Sequence, residues 1–117
     1  MTRRHSKELR YRHTNTPSLL QGDMPEDEAI CYKCKMEVIC EFHHIMNGSA
    51  YRGDSEKIGA WVWLCPKCHH WAHTTGEGAK YLRKLKAEAQ AAYEEDHTRA
   101  EWMFLFHKNY RGEDDTE

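Results

Sequence analysis

The sequence predicts a small α+β domain built around a four-cysteine metal staple. Three observations predict it. Two Cys-x-x-Cys pairs, Cys31/Cys34 and Cys65/Cys68, stand on either side of residues 35–64. Two short runs of strand character lie between them: Met36, Val38, Cys40 and Phe42 alternating with Glu37, Ile39 and Glu41, and then Trp61-Val-Trp-Leu64. Helix-spaced segments follow, a short one opened by His69–His73 and two longer ones over 79–95 and 99–109.

The chain of 117 residues fits one domain. With 39% hydrophobic and 31% charged residues it buries a limited core, the situation in which a metal staple adds most. Two intervening residues let both sulfurs of a pair face one ion, and two pairs complete a tetrahedral shell of four thiolates. A closed shell of this kind is a structural zinc site with no position open to water. The pairs stand further apart than in a compact zinc ribbon because a strand, a loop and a second strand lie between them. Free core cysteines or a redox pair are the competing reading. Cys40, the fifth cysteine, falls on the face of Val38 and Phe42 and reads as a buried free thiol.

Residues 1–29 lack sustained hydrophobic periodicity. They read as a basic arm (Arg3, Arg4, Lys7, Arg10 and Arg12 against Glu8) followed by an acidic linker; a solvated tail without a role is the equal alternative. The folded part is expected over 30–112, with 113–117 as an acidic tail. Asn47-Gly48-Ser49 marks a turn, residues 50–59 a polar loop, and Thr74, Thr75, Gly76 and Gly78 a helix break. In 79–95, Leu82, Leu85, Ala89, Ala92 and Tyr93 share one helical face. Thr98 with Glu101 is a capping-box signature opening 99–109, where Trp102, Leu105 and Phe106 form an apolar stripe. Both stripes read as core.

A net charge of −2 identifies no partner, because the charge is segregated: bases gather in the first twelve residues, acids at 23–28 and 113–117. No apolar run reaches the length of a membrane span, and no membrane partner is expected. The charged N-terminus has no apolar stretch behind it, so a cytoplasmic, reducing location is expected, where paired cysteines hold metal and not disulfides.

A second set of ligands accompanies the first. His69 and His73, at i and i+4, share a helical face and can hold one ion. One histidine of the pair His43-His44, at the strand end, adds a third imidazole and leaves a coordination position open, which is the catalytic arrangement of a metal. The other points elsewhere and is free to take a proton. His70, about 100° around the helix from its neighbour, is the rival ligand or a phosphate contact. His5, His13, His97 and His107 read as surface or packing residues.

In combination, Glu41-Phe-His-His-Ile45, a glycine-containing loop, and Trp63-Leu-Cys-Pro-Lys-Cys-His-His-Trp-Ala-His73 resemble the HNH, or ββα-metal (His-Me finger), nucleases over about residues 30–110. The chain is most similar to small phage-encoded members with paired Cys-x-x-Cys knuckles. The resemblance implies a ββα-metal core with two additional C-terminal helices and an endonuclease that hydrolyses DNA phosphodiester bonds. It places His43, His69 and His73 as ligands of one catalytic divalent ion, His44 as general base, and Glu41 as a support behind the ligands. The ion can be Mg²⁺, Mn²⁺, Ni²⁺ or Zn²⁺, beside the structural Zn²⁺ of the cysteines. The motif's middle asparagine is replaced near Ala60, and Asn47 is the candidate to take over its loop-holding role. Arg52, Lys57 and Lys67 are expected phosphate contacts. The resemblance further implies DNA as partner, bound through structure or backbone, in phage recombination, replication or packaging within a bacterial host's cytoplasm. The alternative is a catalytically silent zinc module that binds DNA or a protein partner.

Overall fold

Two four-residue strands, β1 (Glu41–His44) and β2 (Trp61–Leu64), pair antiparallel at the centre of the fold, in the register Glu41↔Leu64, Phe42↔Trp63, His43↔Val62, His44↔Trp61. The computed structural model describes residues 14 and 16–112; the remainder of the expected basic arm (1–13 and 15) and the acidic tail (113–117) lie outside them. The helices are α1 (Arg52–Ile58), between the strands, then α2 (Pro66–Thr74), α3 (Gly76–Tyr93) and α4 (Arg99–Phe106). A two-stranded sheet with four helices makes the described chain α+β. Among the described residues no helix is long and apolar enough to cross a membrane.

Every residue of β2 is buried, and Trp63, Leu64, Val62, Ile45, Met46 and Leu85 form the core with Trp102 and Phe106 of α4. Strand pleating sorts the side chains of β1. Phe42 and His44 share a face with their partners Trp63 and Trp61, where Phe42 stacks on Trp61 at 4.9 Å between ring centroids. Glu41 and His43 point to the opposite face, toward α2.

Four sequence expectations are corrected. The strand expected from Met36 begins only at Glu41. Met36, Val38 and Ile39 are exposed, because β2 ends at Leu64, where Cys65 turns the chain into α2 and leaves the earlier residues no strand to pair with. The loop expected over 50–59 contains α1, which presents Tyr51, Ser55 and Ile58 to the core at i, i+4, i+7 and ends at Gly59, left-handed at φ 86°. A side chain at Gly59 would also strike the Pro17 carbonyl. Gly76 and Gly78 do not break the helix pair. Thr75 alone separates α2 from α3 and caps α3 by accepting the Gly78 N–H at 2.8 Å. Gly78 is where the two backbones meet, since a Cβ there would lie 2.3 Å from the Trp71 carbonyl oxygen. Finally, residues 16–29, expected to stand outside the fold, cover the outer edge of β2. Ser18 Oγ donates to the Trp61 carbonyl, Gln21 Oε1 accepts from the Trp63 N–H, and the Trp61 and Trp63 indoles donate to the carbonyls of Thr16 and Met24.

The capping box at Thr98 and Glu101 is formed as expected, and α4 ends at Phe106 with His107 left-handed. Between α3 and the chain after α4 lies a buried polar network. Gln90, fully buried, donates to Glu94 and Asn109 at 2.8 Å each and accepts from the Tyr110 N–H at 2.7 Å. Glu94 also accepts from Arg99 and Arg111. Burial alone would raise the Glu94 pKa, but hydrogen bonds from Arg99, Gln90 and Arg111 outweigh it and hold it at about 2. A folded pKa below the unfolded one gives stability that is present above about 4.5 and lost as pH falls toward 2. Glu94→Gln is therefore expected to cost about 2–3 kcal/mol at pH 7. Urea unfolding should show the difference from wild type closing between pH 4.5 and 2.

Candidate metal centres

Cys31, Cys34, Cys65 and Cys68 come together, with all four sulfurs within 4.8 Å of one another. Cys34 Sγ and Cys65 Sγ are 3.9 Å apart, against about 3.8 Å for two sulfurs at tetrahedral positions around zinc. Each knuckle is fixed by its own backbone. The Cys34 N–H points at Cys31 Sγ (3.5 Å) and the Cys68 N–H at Cys65 Sγ (3.4 Å). The first knuckle closes with Lys35 left-handed at φ 68°, its N–H bonded to the Cys31 carbonyl. The second is the start of α2, with Cys65 as N-cap and Pro66 at the first helical position. Tyr32 ties the first knuckle to the sheet by donating its N–H to the Trp63 carbonyl.

The thiols are not electrostatically equivalent. Burial would raise the Cys31 pKa, but N–H donors from Cys34 and Cys65 and the Cys34 thiol bring it down to about 6. Cys68 is pushed up to about 12 by burial and by its sulfur neighbours. Cys40 stands apart from the four. Its thiol is buried, donates to the Val38 carbonyl, and is raised to about 11 by burial and the nearby thiolates, so it remains protonated. Four soft donors at this spacing fit a structural metal such as zinc.

The second cluster is His43, His69 and His73, whose ring nitrogens also lie within 4.8 Å of one another. The i,i+4 spacing on α2 sets His69 and His73 on one helical face with centroids 4.9 Å apart, and β1 brings His43 to 5.2 and 5.6 Å from them. Behind this triad Glu41 Oε1 accepts from His69 Nδ1 at 2.6 Å, which directs Nε2 of that ring toward the cluster. A metal-binding histidine ordinarily donates its other N–H to a carboxylate in this way. His43 is only 4% exposed. Burial, then repulsion from His69, His73, His44 and Lys86, lowers its pKa to about 3; burial and His69 lower that of His73. Neutral imidazoles keep their lone pairs available, so the donor set fits a divalent ion.

Burying a histidine in its neutral form has a stability consequence. Below pH 6.5 the unfolded chain takes up a proton at His43 that the folded chain refuses. Without added divalent ion, stability is expected to decline from pH 6.5 toward 3, by on the order of 4–5 kcal/mol if this site acted alone. The slope of urea stability against pH, compared with that of His43→Leu, measures it.

His44 faces away from the triad, on the aromatic side of the sheet. Its Nε2 lies 3.1 Å from Glu56 Oε1 on α1, and its ring packs edge-on against Phe42. Glu56 is not legible in the polar stretch 50–59, where the available signal is a helical period through Tyr51, Ser55 and Ile58. Nor is Ser55, whose fully buried hydroxyl donates to the Ala60 carbonyl (2.6 Å) and accepts the Met46 N–H (3.1 Å). Ser55 thus clamps the chain after His44 to the start of β2, while Asn47, the expected substitute, is exposed. Arg52 and Lys57 are exposed on α1. Lys67, on α2, lines a cleft with Lys33, Met36, Trp71 and three of the cysteines, Cys34, Cys65 and Cys68. His70 is exposed and outside the triad; His97 stacks on Tyr93 at 4.0 Å.

Comparison with family models, curated proteins and solved structures yields no match.

Proposed function

We propose that the protein is a metal-dependent endonuclease of the HNH type that hydrolyses DNA phosphodiester bonds. The observation that carries this reading is the pairing of a three-imidazole cluster with a fourth histidine, His44, held by a carboxylate on the opposite face of the same strand. A structural module needs only the cysteine staple. The histidine triad adds a second donor set of the three-ligand kind that leaves a coordination position for water or phosphate.

His43, His69 and His73 would hold a divalent ion, which when bound supplies Lewis-acid stabilisation of the charge that grows on the phosphate and the leaving oxygen. Glu41 fixes the orientation of the His69 ring. His44 takes the proton of the attacking water, and Glu56 holds its ring in one orientation. Ser55 keeps the His44 end of β1 at a constant distance from β2 through its two backbone bonds. Attack by water on phosphorus with the 3′-oxygen leaving gives 5′-phosphate and 3′-hydroxyl ends.

The test is cleavage of supercoiled plasmid by zinc-loaded protein with Mg²⁺, Mn²⁺, Ni²⁺ or Zn²⁺ added singly, alongside metal stoichiometry. Nicking with one of these ions, and a second, exchangeable metal lost in His69→Ala, is the expected result. Intact plasmid with a single tightly held zinc per chain would reject the nuclease in favour of a silent zinc module.

A further inference from the structure

The expected phosphate contacts Arg52, Lys57 and Lys67 are scattered over two helices. A more concentrated cationic feature lies elsewhere, on a part of the chain read from sequence only as core helix and tail. One face of α3 presents Ala79, Leu82, Arg83 and Lys86 at helical spacing. The chain after α4 lays Lys108 and Tyr110 against it, and together they line a cleft of about 270 Å³. The cleft wall is held rigidly. Trp102, fully buried, donates its indole N–H to the Lys108 carbonyl at 2.9 Å, and the buried Gln90 amide accepts the Tyr110 N–H at 2.7 Å. Lys86 Nζ and Lys108 Nζ flank the Tyr110 ring at 5.4 and 5.3 Å from its centroid.

Three cations therefore converge on one concave surface with a single aromatic ring between them. Among the described residues no carboxylate forms an ion pair with Arg83, Lys86 or Lys108; Glu77 pairs with Lys80, and Glu94 with Arg99 and Arg111. Bringing like charges together without a counter-charge is unfavourable: burial first, then Lys108 and Arg83, lower the pKa of Lys86. An anion in the cleft relieves that repulsion. The cleft lies on α3, the helix that packs against α2, and α2 carries His69 and His73.

We infer that Arg83, Lys86 and Lys108 form a phosphate-binding cleft that seats the DNA backbone, with Tyr110 in the wall that carries the cations. This assignment rests on the nuclease reading for its choice of ligand. Mixed Lys and Arg on a shallow, mostly aliphatic and aromatic surface suit a diester phosphate followed by sugar, with no group positioned for base recognition.

The experiment is fluorescence anisotropy of a short fluorescein-labelled DNA duplex against zinc-loaded protein, without added divalent ion, over salt from about 50 to 200 mM. The variant is Arg83→Gln/Lys108→Gln, both exposed positions whose loss leaves the core intact. Lys84→Gln, an exposed α3 cation that does not line the cleft, is the control. The double variant is expected to bind at least tenfold more weakly at low salt, with the log–log salt slope reduced by about 2, one unit per lost phosphate contact. Lys86→Gln should lose a further unit and Lys86→Arg should keep it. A double variant with the affinity and slope of the Lys84→Gln control would overturn the assignment. So would saturable binding of inorganic phosphate, measured calorimetrically and lost in the double variant, if duplex binding stayed unchanged. Plasmid cleavage separates the two proposals. Duplex binding that depends on the cleft, in a protein that never cuts, sustains the cleft and rejects the nuclease; cutting with unaltered duplex binding in the variant does the reverse.

Discussion

Cys65→Ser is expected to abolish the cooperative thermal unfolding transition of the domain together with the binding of a structural metal such as zinc at the four cysteines. Cys65 occupies three roles at one position. Its sulfur sits 3.9 Å from Cys34 Sγ, it accepts the Cys68 N–H, and it is the residue at which β2 becomes α2. Losing it releases α2, and with it His69 and His73, from the sheet. Zinc held by four protein ligands contributes about 10–16 kcal/mol in small peptides, as much as the whole stability of an ordinary domain, about 5–15 kcal/mol. The cysteines are part of the core itself: Cys31 and Cys65 belong to the same buried cluster as Trp63, Leu64, Trp102 and Phe106. Far-UV circular dichroism on heating, with zinc measured on the same sample, reads the result. Cys40→Ala is the internal comparison. It removes a buried thiol outside the four, so it should keep the zinc and lose only about 1–2 kcal/mol. A Cys65→Ser protein that melts like wild type would show that the staple does not hold the fold.

The second large effect is expected at His44. Under the proposed nuclease mechanism, His44→Ala should reduce metal-dependent nicking by about 10²–10⁴-fold, the range for removal of a general base. The same variant should keep its cysteine-held zinc and its exchangeable second ion, since His44 belongs to neither cluster. This separation distinguishes a proton acceptor from a ligand: His43→Ala should lose the second ion together with activity. Glu56→Gln retains an acceptor for the His44 ring and should lose about tenfold, by loosening the orientation of the imidazole and not by removing it. Equal losses of the second ion in His44→Ala and His43→Ala would place His44 among the ligands and remove it as the base.

How far the sequence could be read varied with the kind of signal. Spacing within one element carried over well. The two Cys-x-x-Cys knuckles, the i,i+4 pair His69/His73 and the Thr98/Glu101 capping box depend only on local backbone geometry, and each was legible. The division of labour within His43-His44 was half legible: pleating requires opposite faces but leaves open which face meets α2. Tertiary context decided the rest. Alternation from Met36 to Phe42 is a genuine strand pattern, yet strands exist only in pairs, and β2 supplies four partners. α1 was hidden because its one buried residue is Ser55, buried for its hydrogen bonds, with only Ile58 and the N-cap Tyr51 partly buried beside it. Residues 16–29 read as linker since their hydrogen bonds run through backbone groups and the polar side chains of Ser18 and Gln21, and the residues that pack on the core, Leu19, Leu20, Met24 and Ala29, follow no helix or strand period.

The alternation along β1 also carries a parity rule for engineering and for natural variation. From Glu41 to His44 the even and odd positions serve different neighbours, α1 and the aromatic face on one side, α2 on the other. Inserting or deleting a single residue there would hand the position of His43 to a neighbour of the wrong parity and dismantle both histidine environments at once. Length changes between Glu37 and Ile39, past the bonds that Lys35 and Met36 make to Cys31, fall where every residue is exposed and no strand pairing exists, and carry no such penalty. Sequence length is thus free on one side of Cys40 and quantised in steps of two on the other, so indels are expected to accumulate before Cys40 and to be absent from the four residues that follow it.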